Sequence, residues 1–228
     1  MIQCVAFDMD DTLYDEVDYY QSGLAAAAAV MAEDHNLDEK DAFNTIWGIF
    51  TGGNHKTAFN ETLDKLSIPY DSEYIGKLVH VLRCHSPQIA LPADSRTVLE
   101  TLKHKYRLAL ITDGFLPAQK LKAHALEIEP YFDCMLFTEE WGREFWKPSP
   151  AAFEIMFDKM NLTPAQCVYV GDNPTKDFIA PNQLGMKTIR ITRQHHLHTF
   201  PPPDAFAGAQ YQIESIIELP TLLERIDV

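Results

Sequence analysis

The stretch "CVAFDMDDTLYD", residues 4–15, decides the fold. Cys4–Phe7 is a short run of strand type, and three aspartates, Asp8, Asp10 and Asp11, crowd its end. Carboxylates this close repel one another unless a cation or a shared proton separates them. At a strand end Asp8 projects into the crevice beyond the sheet, and a curl of the chain there brings Asp10 into the same space. A carboxylate is a competent nucleophile for phosphoryl and some other transfers. Of two carboxylates sharing a site, one can attack while the other serves as acid and then base. A divalent cation would relieve their repulsion, and oxygen ligands suit magnesium. Asp11 reads as a turn or cap residue.

Outward from this stretch, strand-type runs recur at Leu108–Ile111, Met135–Phe137, Val168–Val170 and Thr188–Ile191. Helical patterns lie between the later ones, with one apolar face at Val98, Leu99 and Leu102 and another at Phe153, Ile155, Met156 and Met160. Strands alternating with helices predict βαβ units and a mostly parallel sheet, so an α/β fold. Local signals agree. Ser149 with Pro150, and Asn173 with Pro174, fit helix entries. Thr163, Pro164 and Gln166 fit a capping box. Gly185 suits a helix stop, and Pro181 is expected to divide the helix before it.

Residues 15–90 break the alternation. Four helical stretches, "DYYQSGLAAAAAVMAEDHNL", "EKDAFNTIWGIF", "HKTAFNETLDKL" and "SEYIGKLVHVLRCH", follow one another with breakers between and no convincing strand. The expected organisation is an α/β core of residues 1–14 and 91–228, interrupted by a four-helix insert of residues 15–90.

The chain of 228 residues is 46% hydrophobic and carries a formal net charge of −14. The hydrophobic share supports a sizeable core. The acidity argues against nucleic acid as a partner, which needs a cationic footprint, but leaves room for a small anionic substrate beside a metal and a lysine. No stretch approaches the roughly 20 apolar residues of a membrane helix, and no signal peptide is visible. Cys4, Cys84, Cys134 and Cys167 form no C-x-x-C pair and read as buried, reduced thiols, hence a cytoplasmic expectation.

Polar clusters sit at the carboxyl ends of the predicted strands: "FDMDDTL" after the first, "ITDG" after the second, "WKPSP" after the third and "VGDNPTKD" after the fourth. Ligands of open parallel sheets bind beyond that edge, near the point where strand order reverses. Asp172 ends another strand there and can supply a further metal oxygen, with Asp177 close by in the next turn. The Thr112 hydroxyl and the main-chain N–H groups of the "TDG" turn, Thr112, Asp113 and Gly114, can hold phosphate oxygens. Lys147 adds a point charge, and Pro148 biases it toward extended backbone.

These motifs together resemble the haloacid dehalogenase-like hydrolase superfamily over nearly the whole chain. "FDMDDTLYD" resembles its D-x-D-x-T-[LV] motif, "LITDG" its second motif, "WKPSP" its motif lysine and "VGDNPTKD" its G-D-x-x-x-x-D motif. The helical insert resembles the family's first cap class. The resemblance implies a three-layer Rossmann-like parallel sheet core with an inserted four-helix-bundle cap. It also implies Mg2+ as cofactor, held by Asp8, the backbone carbonyl of Asp10, and Asp172, with Asp177 in support. Asp8 is then the nucleophile and Asp10 the general acid/base. Lys147 orients the nucleophile, and Thr112, Asp113, Gly114 and Lys147 bind phosphate. The implied activity is hydrolysis of a small phosphate monoester, a sugar phosphate or nucleoside monophosphate, through an aspartyl phosphate. Asp10 favours a phosphatase over a 2-haloacid dehalogenase, because displacing halide needs no protonated leaving group. A phosphomutase of the same superfamily and a non-catalytic binding protein on this fold are also compatible with the motifs.

Specificity is expected in the insert, where His55 and Lys56 either reach toward the leaving group or form an exposed turn; Arg83 and His85 are weaker candidates. "EEWGREFWKP" brings Trp141, Arg143 and Trp146 beside Lys147 and is expected to pack rather than line an entrance. His195, His196 and His198 read as a solvated loop rather than a metal site, and a final helix is expected over Ile213 to Ile226. The substrate and the oligomeric state are not legible.

Overall fold

The computed structural model describes residues 1–193, 201–204 and 207–227. The chain divides into two compact units, Met1–Val17 with Ala90–Val228, and Asp18–Ile89. The first holds a six-stranded parallel sheet: β1 (Cys4–Phe7), β2 (Arg107–Thr112), β3 (Cys134–Phe137), β4 (Cys167–Gly171), β5 (Lys187–Ile191) and β6 (Tyr211–Ile213). The order is β3-β2-β1-β4-β5-β6, so strand order reverses between β1 and β4. Phe7 stands in register with Leu110 of β2 and with Val170 of β4, which lines up the carboxyl ends of three strands.

The middle strands read as continuous apolar runs because both faces are covered. Cys4, Ala6, Ala109, Ile111, Leu136 and Tyr169 share one face with Phe153, Met156 and Met160 of α7 (Ala151–Met160). Val5 and Phe7 alternate to the opposite face, where α5 (Ala93–Lys103) lies against β2 and against α9 (Leu219–Ile226). Phe153 is fully buried, with its ring edge-on to Tyr169 at 5.0 Å between centroids. Phe153→Ala is therefore expected to lower the free energy of unfolding by about 3–5 kcal/mol. Urea denaturation measures this, and a loss below about 1 kcal/mol contradicts the packing described.

The second unit is helical. The chain enters it along α1 (Glu16–His35) and continues through α2 (Glu39–Thr51), α3 (Ala58–Lys65) and α4 (Ser72–Cys84). The Asp38 and Asp71 carboxylates cap α2 and α4 by accepting from the N–H groups of Asp41 and Tyr74. Gly23 of α1 lies where a Cβ would meet Leu82 Cδ1 at 2.5 Å, so the close approach of these helices needs glycine. His85 is an internal tie of this unit, bonded to the Leu82 carbonyl at 2.8 Å and to Ser22 Oγ at 2.9 Å.

Several local expectations change. The Thr163 capping box is present but closes a single 3-10 turn, Pro164–Gln166. Asn173 accepts from the Thr175 N–H and hydroxyl in a turn, and α8 (Ile179–Leu184) begins only at Ile179. Pro181 therefore falls in the first turn of α8, where its missing N–H breaks no bond, and the helix is not divided. Gly185 does end it, at φ 88°. The expected terminal helix is shorter: β6 and a 3-10 turn, Ile216–Glu218, precede α9. All four cysteines are free, but Cys84 is exposed on the last turn of α4. His195, His196 and His198 lie outside the described residues. No helix among the described residues is long and apolar enough to cross a membrane.

Candidate active site

The site is built from the ends of β1, β2 and β4 and the loop that carries Lys147. Asp8 follows β1 directly, and its N–H still donates to the Val170 carbonyl at 2.9 Å, so the sheet fixes its backbone. Its side chain is buried. Oδ1 accepts from Lys147 Nζ at 2.8 Å, whereas Oδ2 accepts no hydrogen bond. Burial pushes the Asp8 carboxyl up to about 6, against the pull of Lys147 and then Lys176.

Lys147 has a side chain with no solvent exposure. Its Nζ lies 2.8 Å from Asp8 Oδ1, 2.8 Å from Asp177 Oδ1 and 2.8 Å from the Tyr169 hydroxyl. Burial works against the ammonium, but Asp177 and Asp8 outweigh it and hold the lysine charged. Its main-chain N–H donates to the Asp113 carboxylate, at 3.3 Å to Oδ1 and 3.2 Å to Oδ2. Thr138 Oγ1 donates to the same carboxylate at 2.9 Å. The Asp113 side chain thus secures the Lys147 loop. A carboxylate repels phosphate, so an anion at the "TDG" turn can meet only the main chain of Asp113. Thr112 closes β2 with a buried hydroxyl 2.9 Å from Gln119 Nε2. Gly114 adopts φ 146°, and a Cβ there would lie 2.7 Å from Gln119 Cδ, so this turn requires glycine.

Asp172 follows β4. Carboxylate oxygens of Asp8, Asp172 and Asp177 lie within 4.8 Å of one another, all three residues buried. Burial, then Asp177 and Asp8, drive the Asp172 carboxyl well above its ordinary range, and its Oδ2 has no hydrogen-bond partner. Asp177 is the opposite case. Burial raises it, but Lys147 and Lys176 outweigh burial and hold it below the ordinary value. Its Oδ2 accepts from the N–H groups of Asp172 at 3.2 Å and Asn173 at 2.8 Å. Two orphaned buried carboxylate oxygens, Asp8 Oδ2 and Asp172 Oδ2, fit a hard divalent cation. Asp177 is engaged elsewhere and braces them.

The Asp10 carboxylate is not part of that cluster. Oδ1 accepts from Tyr14 OH at 2.6 Å and Lys122 Nζ at 2.8 Å, and Oδ2 from Gln119 Nε2 at 2.7 Å. Burial raises it, but Lys122 and these hydrogen bonds prevail and hold it below the ordinary value. Asp11, at φ 54°, caps α1 by accepting from the Glu16 N–H at 2.8 Å.

The structure brings Asp8, Asp172, Asp177 and Lys147 together and adds five groups that the motifs leave unread. Tyr14 and Glu16 lie within or beside the opening stretch. Gln119 and Lys122 are spaced i, i+3 on α6 (Ala118–Ala125), so one helix face presents both. Lys176 lies inside "GDNPTKD", with Nζ 4.0 Å from Asp8 Oδ2 and 3.9 Å from Asp113 Oδ2. A helix reading of the residues after Pro117 would have found the α6 pair. His55 and Lys56 are exposed in their unit, and His55 stacks on Phe50 at 4.4 Å. Arg143 lies over the rings of Phe115 and Trp146 at 4.6 and 5.7 Å, so this loop packs on its own unit.

Comparison with known proteins supplies the family. A family model described as a haloacid dehalogenase-like hydrolase matches residues 2–185. A glyceraldehyde 3-phosphate phosphatase of Methanocaldococcus jannaschii is 30% identical over 200 residues, 85% of this chain and 86% of that protein. The N-acylneuraminate-9-phosphatase of Mus musculus is 25% identical over 247 residues, 99% of this chain and 95% of that one. Among solved structures, a 2-haloacid dehalogenase from Pseudomonas syringae superposes with a TM-score of 0.65 at 22% identity, covering 99% of this chain and 100% of that one. A phosphatase from Thermococcus onnurineus gives 0.61 at 21%, covering 97% and 98%. At these identities the structures speak for the fold alone. A parallel sheet with its acidic cluster at the switch point, and a family match spanning most of the sequence, have one conclusion: this chain is an enzyme of the haloacid dehalogenase-like hydrolases.

Proposed function

We propose that the enzyme is a magnesium-dependent phosphatase that hydrolyses small phosphate monoesters through an aspartyl phosphate on Asp8. The observation that carries this reading is the state of the Asp8 carboxylate, with one oxygen fixed by Lys147 and the other buried, accepting no hydrogen bond and facing Lys176 at 4.0 Å. The Asp8 carboxylate attacks phosphorus, the bond from phosphorus to the ester oxygen breaks, and the alkoxide takes a proton from Asp10. Water then attacks the aspartyl phosphate and gives its proton to Asp10, the bond from phosphorus to Asp8 breaks, and inorganic phosphate leaves. The negative charge of a bound phosphate favours protonated Asp10 for the first step. The three donors on Asp10 favour the carboxylate for the second. Lys147, Lys176 and the main chain of the "TDG" turn face the added charge.

Asp8, the Asp10 carbonyl and Asp172 would hold the magnesium ion, with Asp177 behind them. When bound, the ion supplies charge neutralisation between the nucleophile and the phosphoryl oxygens. An acid/base carboxylate as firmly anchored as Asp10 favours esters with alcohol leaving groups over haloacids. The phosphatases among the relatives, named for a phosphorylated triose and a phosphorylated sugar acid, support a small phosphometabolite as substrate. In this reading residues 15–90 form the cap that selects it, with His55 and Lys56 on its exposed turn, and residues 1–14 and 91–228 form the catalytic core.

The test is turnover of p-nitrophenyl phosphate and of a panel of sugar phosphates and nucleoside monophosphates, with magnesium and with chelator. Turnover should vanish with chelator. A carboxylate must lose its proton to bind the ion, and burial pushes both carboxyls offered to it up, Asp8 to about 6 and Asp172 well above the ordinary range. The rise in Tm on adding magnesium is therefore expected to be small at about pH 5 and to grow through about pH 6 toward about pH 7.5. Turnover that survives chelation, or a Tm rise as large at the acid end, contradicts the proposal.

A further inference from the structure

Two carboxylates flank one lysine that neither the family motifs nor the mechanism above employs. Lys122 projects from α6 with a side chain only 4% exposed, and its Nζ bridges Asp10 Oδ1 at 2.8 Å and Glu16 Oε1 at 3.2 Å. Gln119, one turn earlier on the same helix, holds the other Asp10 oxygen, and also reaches the Thr112 hydroxyl and the Asp113 carbonyl at 2.9 and 2.6 Å. Tyr14 completes the shell, and burial followed by the Asp10 charge keeps its hydroxyl protonated and donating. The nucleophile has its own lysine, Lys147; the acid/base residue has this one.

From this geometry we infer that Lys122 is a positioning residue for proton transfer by Asp10, with Glu16 holding the ammonium from the far side. The inference rests on the phosphatase reading. An isolated carboxylate at a strand end swings about two side-chain torsions. One cation and two neutral donors from β1's own loop and α6 leave it a single orientation. The lysine does not touch the ester; it fixes which Asp10 oxygen faces the leaving group.

Leaving-group dependence tests this. Proton donation matters most when the departing alcohol is a poor leaving group, and kcat/KM reports the step in which it departs. The wild type, Lys122→Met and Lys122→Arg are compared on substituted phenyl phosphates, including p-nitrophenyl phosphate, and on the best alkyl phosphate of the panel. In Lys122→Met the alkyl ester should lose about 10²–10³-fold in kcat/KM and p-nitrophenyl phosphate less than about 10-fold, so the dependence on leaving-group pKa steepens. Lys122→Arg, which keeps the charge, should steepen it less. Should the methionine variant not fold, Lys122→Gln, which also lacks the charge, is measured in its place against the same expectation. Parallel loss on every ester, or no loss, overturns the inference while the phosphatase reading stands. A wild-type protein that turns over none of the esters overturns both.

Discussion

Asp8→Asn is expected to lower kcat on the order of 10⁴-fold or more, on every ester alike, and to leave no phosphoenzyme for hydroxylamine to trap. The amide keeps the shape of the side chain but has no anionic oxygen to attack phosphorus. The fold should survive. The wild-type carboxylate is buried beside Asp172 and Asp177 and is pushed up to about 6, so its charge opposes folding at neutral pH in the absence of a cation. A carboxyl raised in the folded state stabilises the fold below its ordinary value of 3.8, and that contribution is lost as pH rises through about 6. Asparagine removes this penalty, so the metal-free variant should melt no lower than the wild type at about pH 7.5, while magnesium should raise its Tm less. Steady-state kinetics and scanning calorimetry decide the matter together. A folded variant that retains a tenth of wild-type turnover would falsify nucleophilic attack by Asp8.

How far the sequence carries depends on whether a feature is written locally. Cys4–Phe7 followed by Asp8 is local: an apolar run with carboxylates at its end places a strand, its direction and the site edge at once. The helices of residues 16–84 are also local, because capping aspartates such as Asp38 and Asp71 stand directly before them. The strand β6 is not, since only Ile213 of its three residues is buried and the pattern is too short to register. The partners of Asp10 are the clearest omission. Gln119 and Lys122 lie 109 and 112 residues from it, so only the pairing of β1 with β2 brings them near. Asp113 stands between Thr112 and Gly114, and its place in the chain therefore shows only its main chain, in the turn expected to hold phosphate. The orientation of its side chain toward Thr138 and the Lys147 N–H depends on the β3 connection, which no neighbouring residue reports.

Lys147→Met should be the most damaging single substitution for stability among the site residues. The ammonium is the only group on Asp8 Oδ1 within hydrogen-bonding distance among the described residues, and it meets Asp177 Oδ1 at the same 2.8 Å. Removing one partner of a buried ion pair leaves the other charge uncompensated, which costs about 3–5 kcal/mol. For a protein of this size that corresponds to a fall in Tm of roughly 10 °C. The pH dependence follows from Asp177. Lys147 and Lys176 hold it below its ordinary value of 3.8 despite burial, so its stabilising contribution is present above that value and fades as pH falls through the lower folded value. Without Lys147 this contribution shrinks at neutral pH, whereas at low pH both proteins carry the same neutral carboxyl. The gap in Tm between wild type and variant should therefore be widest near about pH 7.5 and close only as pH falls below 3.8, through the lower folded value of Asp177. Magnesium should narrow it only in part, because a cation held by Asp8 and Asp172 does not replace the ammonium against Asp177. Melting curves across that range, with and without magnesium, measure the effect. A variant within about 2 °C of wild type at neutral pH would show that the Asp8–Lys147–Asp177 bridge does not hold this edge of the sheet together.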